Sequence, residues 1–183
     1  MNLHKLLSVF MTCAIIGTAI PVSQATIPYT ASAATEEYTE GTYGVLTYKN
    51  YGDQIEISDC NETAVEVVIP EEIDGLPVTA IGTHAFDECY IESITIPDSV
   101  TSIYSSAFAH CESLINIIIP DGVTRIGDHA FYGCTALTSV NIPASVTTVG
   151  SHAFYCCYGL EEIDVHSDNS EYSSTDGVLF NKD

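Results

Sequence analysis

Positively charged residues are the scarcest feature of this sequence. Its 183 residues include only four Lys and Arg against 25 Asp and Glu, which gives a formal net charge of −21 at pH 7. An acidic surface repels nucleic acid and anionic lipid because both carry negative charge. The composition therefore argues against nucleic acid as a partner and leaves cationic and neutral partners open.

Motifs that carry common catalytic chemistry are also missing. The sequence has no G-x-S-x-G elbow, no G-x-x-x-x-G-K phosphate loop and no G-x-G-x-x-G dinucleotide fingerprint. It has no H-E-x-x-H motif or paired-Cys zinc spacing, and the acidic segment 164–176 lacks the residue order of a calcium loop. We therefore predict that the protein is not an enzyme and has no cofactor.

Long apolar runs are absent except at the N-terminus. There Lys5 precedes a run over residues 6–20, and small-x-small triplets follow at 23–25 and 31–33. This order is typical of a secretory signal peptide, and the run is shorter than the roughly 20 residues of a membrane-spanning helix. We predict a signal peptide over 1–34, cleaved near 25 or 33, and no membrane span after cleavage. An uncleaved N-terminal anchor is the alternative.

Internal repetition dominates the rest of the chain. Ile-Pro pairs begin at residues 69, 96, 119 and 142, and Ala-Phe pairs begin at 85, 107, 130 and 153. A cysteine follows each Phe three residues later; these are Cys89, Cys111, Cys134 and Cys157. The unit reads L-x-x-I-x-I-P-x-x-V-x-x-I-G-x-x-A-F-x-x-C. A fixed period of about 23 residues predicts a solenoid, because one such coil buries its apolar side only against its neighbours.

Apolar residues recur at period two before each Pro, which predicts a short strand with one buried face. Stacked strands then form a parallel sheet along one side. We predict a mainly β repeat solenoid of about four and a half 23-residue coils over 65–166. Alternating residues at 43–48 and 54–58 predict an N-terminal β-hairpin cap within 43–64. We predict that residues 35–42 form a flexible leader. We predict that residues 167–183 are a partial repeat or a spacer in a longer, truncated protein.

These units resemble the BspA-type leucine-rich repeats of bacterial surface proteins. The resemblance rests on the Ile-Pro, Ile/Val-Gly and Ala-Phe pairs and on the four cysteines; Tyr104 departs from it, since other units have Gly there. It implies a secreted or cell-surface protein that binds an extracellular protein or glycan in adhesion, without catalysis. The alternative is a non-catalytic accessory module of a larger extracellular enzyme or scaffold. We expect a monomer.

The outward positions of the predicted strands form the candidate binding face. These residues alternate with the buried ones and are mostly polar. Solenoids use extended faces of this kind for recognition, although a plain solvated sheet is the alternative. The candidate residues are Ser93, Thr95, Asn116, Ile118, Ser139, Asn141, Glu162 and Asp164.

The repeated cysteines and histidines have more than one interpretation. Stacked side chains run parallel rather than facing each other, so we predict that Cys89, Cys111, Cys134 and Cys157 form a structural ladder of buried free thiols. Cys60 and Cys156 are the candidates for pairing or reaction. Three histidines share one repeat position, and His129 and His152 in adjacent coils are expected to stack about 5 Å apart, as metal ligands or as exposed turn residues. Outer tyrosines either cover turns or stack on sugars. These histidines and tyrosines are His84, His129, His152, Tyr132, Tyr155 and Tyr158.

Overall fold

The computed structural model describes residues 37–182, so the predicted signal peptide lies outside the described part of the chain. Fifteen strands and no helix occupy the described residues. The strands are β1 Thr39–Tyr43, β2 Leu46–Asn50, β3 Ile55–Cys60, β4 Glu66–Val68, β5 Glu72–Ile73, β6 Leu76–Ile81, β7 Ser93–Thr95, β8 Ser102–Ile103, β9 Asn116–Ile118, β10 Arg125–Ile126, β11 Ser139–Ile142, β12 Thr148–Val149, β13 Glu162–Val165, β14 Tyr172–Thr175 and β15 Val178–Asn181.

Each coil begins with a strand of the predicted parallel sheet. Strands β4, β7, β9, β11 and β13 begin coils 1 to 5 and form a five-stranded sheet, called sheet 1 below. The pairing is parallel and in register, for example Val140 opposite Ile117 and Ile163. The central residue of each strand is buried and its neighbours are exposed. The predicted solenoid and its repeat register are therefore confirmed.

A second sheet follows the Pro corner of each coil, where the sequence predicted only a return path. Its strands β6, β8, β10 and β12 pair in parallel, and β3 of the N-terminal cap pairs in parallel with β6. Several of these strands contain two residues, so they show no period-two alternation. Hydrogen bonding between coils, rather than local sequence, creates this sheet, called sheet 2 below.

The third side of each coil, here called the turn face, carries the Ala-Phe-x-x-Cys segment. Its backbone hydrogen bonds between coils run in one direction. The N–H groups of His84, Phe86 and Glu88 donate to carbonyls of the next coil at 2.8–3.2 Å, whereas Thr101 and Tyr104, which flank β8 of sheet 2, donate to the preceding coil. Left-handed backbone at two positions four residues apart in each coil, such as His84 (φ 59°) and Glu88 (φ 61°), makes this ladder possible. Non-glycine residues adopt that conformation at a cost of about 1–2 kcal/mol each, so the inter-coil hydrogen bonds must offset it.

The apolar core contains a column of aromatic rings behind the turn face. Phe108 lies between Phe86 and Phe131, with ring centroids 5.0 and 5.3 Å apart, and all three rings are fully buried. Close stacking of coils also explains the repeated Gly. A Cβ on Gly127 would lie 2.6 Å from the backbone carbon of Tyr104, although the φ of Gly127 is not left-handed. The repeat therefore uses Gly here for space, because a side chain would separate the coils.

The N-terminal cap is larger than predicted. Strands β2 and β3 form the expected antiparallel hairpin, but β1 pairs with β2 along its whole length, from Thr39–Asn50 to Tyr43–Leu46. The description of 35–42 as a flexible leader is therefore wrong for residues 39–42. The sequence of residues 39–42 is rich in Thr and Gly and does not alternate between buried and exposed residues. These residues form a strand only because they pair with β2.

The C-terminal segment folds as a separate hairpin of β14 and β15 beside coil 5. Buried Asn169 holds the approach to this hairpin. Its side-chain N–H₂ donates to the carbonyls of Pro143 and Val146 at 2.8 and 2.9 Å, and its oxygen accepts from the backbone of Glu171 and Tyr172. Asn169 thus ties residues 167–182 to coil 4 by two hydrogen bonds and orders its own segment by two more.

Candidate functional site

Sheet 1 presents two columns of exposed side chains. The first column is aligned directly by strand register: Glu66 opposes Ser93, Ser93 opposes Asn116, and Ser139 lies between Asn116 and Glu162. The second column contains Val68, Thr95, Ile118, Asn141 and Asp164. Every member of both columns is exposed. The structure therefore brings all eight candidate residues onto one surface.

This surface changes in chemistry along the stack. Neutral Ser, Thr and Asn side chains occupy the middle, while Glu162 and Asp164 make coil 5 acidic. Asn141 donates to Asp164 at 3.4 Å, a long bond that leaves the amide available to a ligand. Ile118 is 80 % exposed in the centre of the face and supplies an apolar contact there. The arrangement offers hydrogen-bond donors and acceptors around one apolar side chain.

The four repeat cysteines lie behind the turn face and contact the backbone. The thiols of Cys111, Cys134 and Cys157 donate to the Phe carbonyl of the preceding coil at 3.0–3.1 Å. Hydrogen bonds with neighbouring thiols, together with burial, raise the pKa of Cys89, Cys134 and Cys157 above that of an ordinary thiol. A raised pKa keeps a thiol protonated and unreactive at neutral pH. All six cysteines of the described region are free.

Cys60 and Cys156 differ from each other. Cys60 is buried at the end of β3, and its thiol donates to the Asn61 carbonyl at 3.7 Å. Its interaction with Cys89 contributes to the raised pKa of the Cys89 thiol, so Cys60 extends the ladder into the cap. Cys156 is half-buried, and Tyr158 donates to its sulfur at 3.4 Å. The sequence placed Cys60 only in the cap; the contact with Cys89 becomes visible once β3 is seen to form the layer next to coil 1.

Aromatic rings and imidazoles cover the turn face. His129 and His152 stack with centroids 5.2 Å apart, close to the predicted spacing, and Tyr132 stacks on Tyr155 at 5.8 Å. His110, which the sequence analysis did not single out, meets Tyr132 edge-on at 5.1 Å. Among residues 37–182, no group of three or more His, Cys, Asp or Glu is placed to hold a metal ion.

A stack of coils that shares one core and in-register parallel sheets defines a solenoid repeat protein. Six copies of the BspA-type leucine-rich repeat model match residues 60–175, which is more than half of the chain. The chain therefore belongs to the BspA-type leucine-rich repeat family. Among curated proteins, none matches it significantly.

Solved structures of bacterial leucine-rich repeat proteins share this fold. A protein from Bacteroides capillosus is 29% identical with a TM-score of 0.64, and the match covers 70% of this chain and 99% of that one. A protein from T. pallidum is 28% identical with a TM-score of 0.54, covering 73% and 71%. A protein from Bacteroides ovatus is 30% identical with a TM-score of 0.54, covering 67% of this chain but 40% of its own. This chain therefore matches nearly all of one solved chain and less than half of another.

Within residues 37–182 the structure has no helix of the length and apolar character that crossing a membrane requires.

Proposed function

We propose that this protein is exported and binds an extracellular protein or glycan through sheet 1, without catalysing a reaction. The observation that carries the proposal is the pair of exposed, in-register columns on sheet 1. Strands in a sheet lie about 4.8 Å apart, so five strands give a regular surface roughly 20 Å long. Family membership supports binding as the type of function, because leucine-rich repeats stack into extended recognition surfaces.

The middle of sheet 1 is the best part of this surface for recognition. Ser93, Thr95, Asn116 and Ser139 offer hydroxyl and amide groups without a net charge. Such groups hydrogen-bond equally well to sugar hydroxyls and to peptide backbone. Exposed Ile118 contributes the apolar contact that a protein ligand or a sugar ring face needs. The acidic end at Glu162 and Asp164 orients a ligand through its charge.

The experiment compares two double substitutions with the same change in charge. Asn116→Lys with Asn141→Lys alters the middle of sheet 1, whereas Thr124→Lys with Thr147→Lys alters exposed positions that follow the Pro corner, outside sheet 1. The mature domain is tested against a glycan array and a panel of immobilised extracellular matrix glycoproteins. For any ligand found, we expect the sheet 1 variant to bind at least tenfold more weakly and the control to bind within about twofold of the native protein.

Equal affinity of the folded sheet 1 variant and the native protein would move the binding site away from this face. Export is tested separately. Expression of the full chain in a bacterial host, followed by N-terminal sequencing of the released protein, should give a start near residue 26 or 34. Retention of an intact N-terminus in the membrane fraction would support the uncleaved anchor instead.

A further inference from the structure

We infer that a groove on the turn face between coils 1 and 2 binds one arginine side chain of a partner protein. Glu88 and Tyr90 from coil 1 and His110 and Glu112 from coil 2 line this groove. Its volume is about 220 Å³, below the range of about 300–1,000 Å³ typical of small-molecule sites. The groove therefore suits one side chain rather than a whole organic ligand. It lies on a different side of the coil from sheet 1 and does not depend on the function proposed there.

The negative charge of the groove is not neutralised within the described part of the chain. Glu88 and Glu112 are both exposed, and neither forms an ion pair among residues 37–182. Lys49 is engaged with Glu56 at 2.9 Å, and Lys182 donates to the carbonyl of Asn169. Two carboxylates that flank a groove attract a cation, and the net charge of −21 steers cationic partners towards the surface.

An exposed aromatic ring adds a second reason for a cation. Tyr90 is 68 % exposed and lines the same groove. The face of a Tyr ring attracts a cation, and a guanidinium stacks on such a ring while its N–H groups reach neighbouring carboxylates. A Lys ammonium would match the negative charge of the carboxylates, but it is not planar and does not stack on the Tyr ring. The combination of one ring and two carboxylates therefore favours arginine.

The wall formed by His110 is held in place by the next coil. His110 has a left-handed backbone (φ 57°), and its ring meets Tyr132 edge-on at 5.1 Å. In the next coil Gly133 occupies the matching position, and a Cβ there would lie 2.9 Å from His110 Nδ1. The absence of a side chain at Gly133 lets the imidazole lie over coil 3. The groove is thus open before a ligand arrives, which lowers the cost of binding.

The experiment is a two-dimensional ¹⁵N–¹H NMR titration at pH 7 with N-acetyl-arginine amide. We expect a dissociation constant in the millimolar range, because each exposed ion pair contributes little. The largest shifts should fall on the amides of Glu88, Tyr90, His110 and Glu112. N-acetyl-citrulline amide, which has the same shape without the charge, should cause no saturable shifts.

Matched variants separate this groove from general attraction by an acidic protein. Glu88→Gln with Glu112→Gln should weaken binding about fivefold or more. Glu71→Gln with Glu72→Gln removes the same charge at two exposed positions away from the groove, and it should change affinity less than twofold. Tyr90→Leu keeps an apolar side chain but removes the aromatic ring, and it should also weaken binding.

Three results would overturn the inference. Equal weakening in both double variants would show non-specific attraction. Saturable binding of the citrulline compound would show that charge is not recognised. Shifts of the same four amides with calcium or zinc chloride at lower concentration than with the arginine compound would make the groove a metal site. If the sheet 1 variant alone loses its extracellular ligand, binding of the arginine compound in the groove is still expected. The two proposals therefore fail independently.

Discussion

The two ends of the stack of coils are closed in different ways. At the N-terminal end, β3 continues sheet 2 by pairing with β6, and β2 and β1 extend it further. Phe86, the first ring of the core column, is fully buried beneath this cap. At the C-terminal end the β14–β15 hairpin forms a sheet of its own. Phe154, the last ring, is only partly buried and stacks on Phe131 at 5.3 Å through one face.

Backbone hydrogen bonding shows the same contrast. The hairpin makes one backbone hydrogen bond to coil 5, from Ile163 N–H to the Gly177 carbonyl at 3.2 Å. Two further bonds use hairpin side chains, with Tyr172 accepting from Val149 N–H and Ser174 accepting from Val165 N–H. On the turn face, the N–H groups of His152, Phe154 and Cys156 have no hydrogen-bond partner within residues 37–182, whereas their equivalents in coils 1 to 3 donate to the next coil. A cap that continues the backbone ladder therefore covers this core more completely than one attached by side chains.

The largest expected difference concerns the two terminal rings of the column. Phe86→Ala should lower the free energy of unfolding by about 3–5 kcal/mol, because it leaves a closed cavity beneath the cap. Phe154→Ala should cost less than half as much, because the native ring already contacts solvent and removes less apolar area from water. Urea denaturation of both variants measures the two values. Equal losses would show that the C-terminal hairpin covers the core as well as the N-terminal cap does.

The next effect is expected at Asn169, which attaches the C-terminal hairpin. Asn169→Ala should cost about 1–3 kcal/mol, because the carbonyls of Pro143 and Val146 lose a buried donor. Asn141→Ala is the control, since its one side-chain partner is 3.4 Å away on an exposed surface, and it should change stability by less than about 0.5 kcal/mol. A loss at Asn169 no larger than at Asn141 would show that the hairpin is not held by this side chain.

The difference between a local sequence pattern and contacts between distant segments also explains what the sequence could predict. In the repeats, the Ile-x-Ile-Pro pattern determines which residues are buried, so sheet 1 and its outward columns followed from period two. The Phe and Cys columns followed from the repeat spacing. These features depend on the local pattern of apolar residues, and every coil repeats it. The fold class and the position of the eight candidate residues were therefore accessible without a structure.

Features made by contacts between coils or between segments were not accessible. Strand β12 contains only Thr148 and Val149, too few residues to show an alternation. The groove at His110 depends on a left-handed backbone and on Gly133 one coil later. Asn169 lies in a Ser-Asp-Asn-Ser segment, which is typical of a solvated loop, and only its four hydrogen bonds reveal its structural role. In each case a partner distant in sequence decides the conformation.

Thiol labelling compares the two ends of the stack of coils through the solvent accessibility of their cysteines. Native protein treated with a maleimide at pH 7 should be modified at Cys156, which is half-buried at the C-terminal end. Cys60 within the N-terminal cap, and Cys89, Cys111 and Cys134 within the array, are buried and should react only after denaturation. Digestion with chymotrypsin and a Glu-specific protease, followed by tandem mass spectrometry, identifies the modified residues, because Lys and Arg are too few for trypsin to separate the cysteines. Rapid labelling of Cys89 in the native state, or a Cys111–Cys134 disulfide, would contradict the buried ladder.

The smallest expected effect depends on pH and contrasts two tyrosines. In the N-terminal cap, Tyr48 donates to the Asp74 carboxylate at 2.8 Å, and this hydrogen bond raises the pKa of the phenol. At the C-terminal end, Tyr172 instead accepts from Val149 N–H at 2.9 Å. A raised pKa means that the bond stabilises the fold fully below the unfolded-state pKa of about 10 and that this stabilisation is lost as pH rises through the folded-state value.

Tyr48→Phe should therefore lower stability at pH 7–9, and the difference from the native protein should shrink towards pH 11. The loss caused by Tyr172→Phe should not shrink in this way, because the Tyr172 oxygen accepts this hydrogen bond and does not donate it. Urea denaturation at pH 7, 9 and 11 measures both differences, and a Tyr48→Phe loss that stays constant to pH 11 would mean that the phenol does not donate to Asp74.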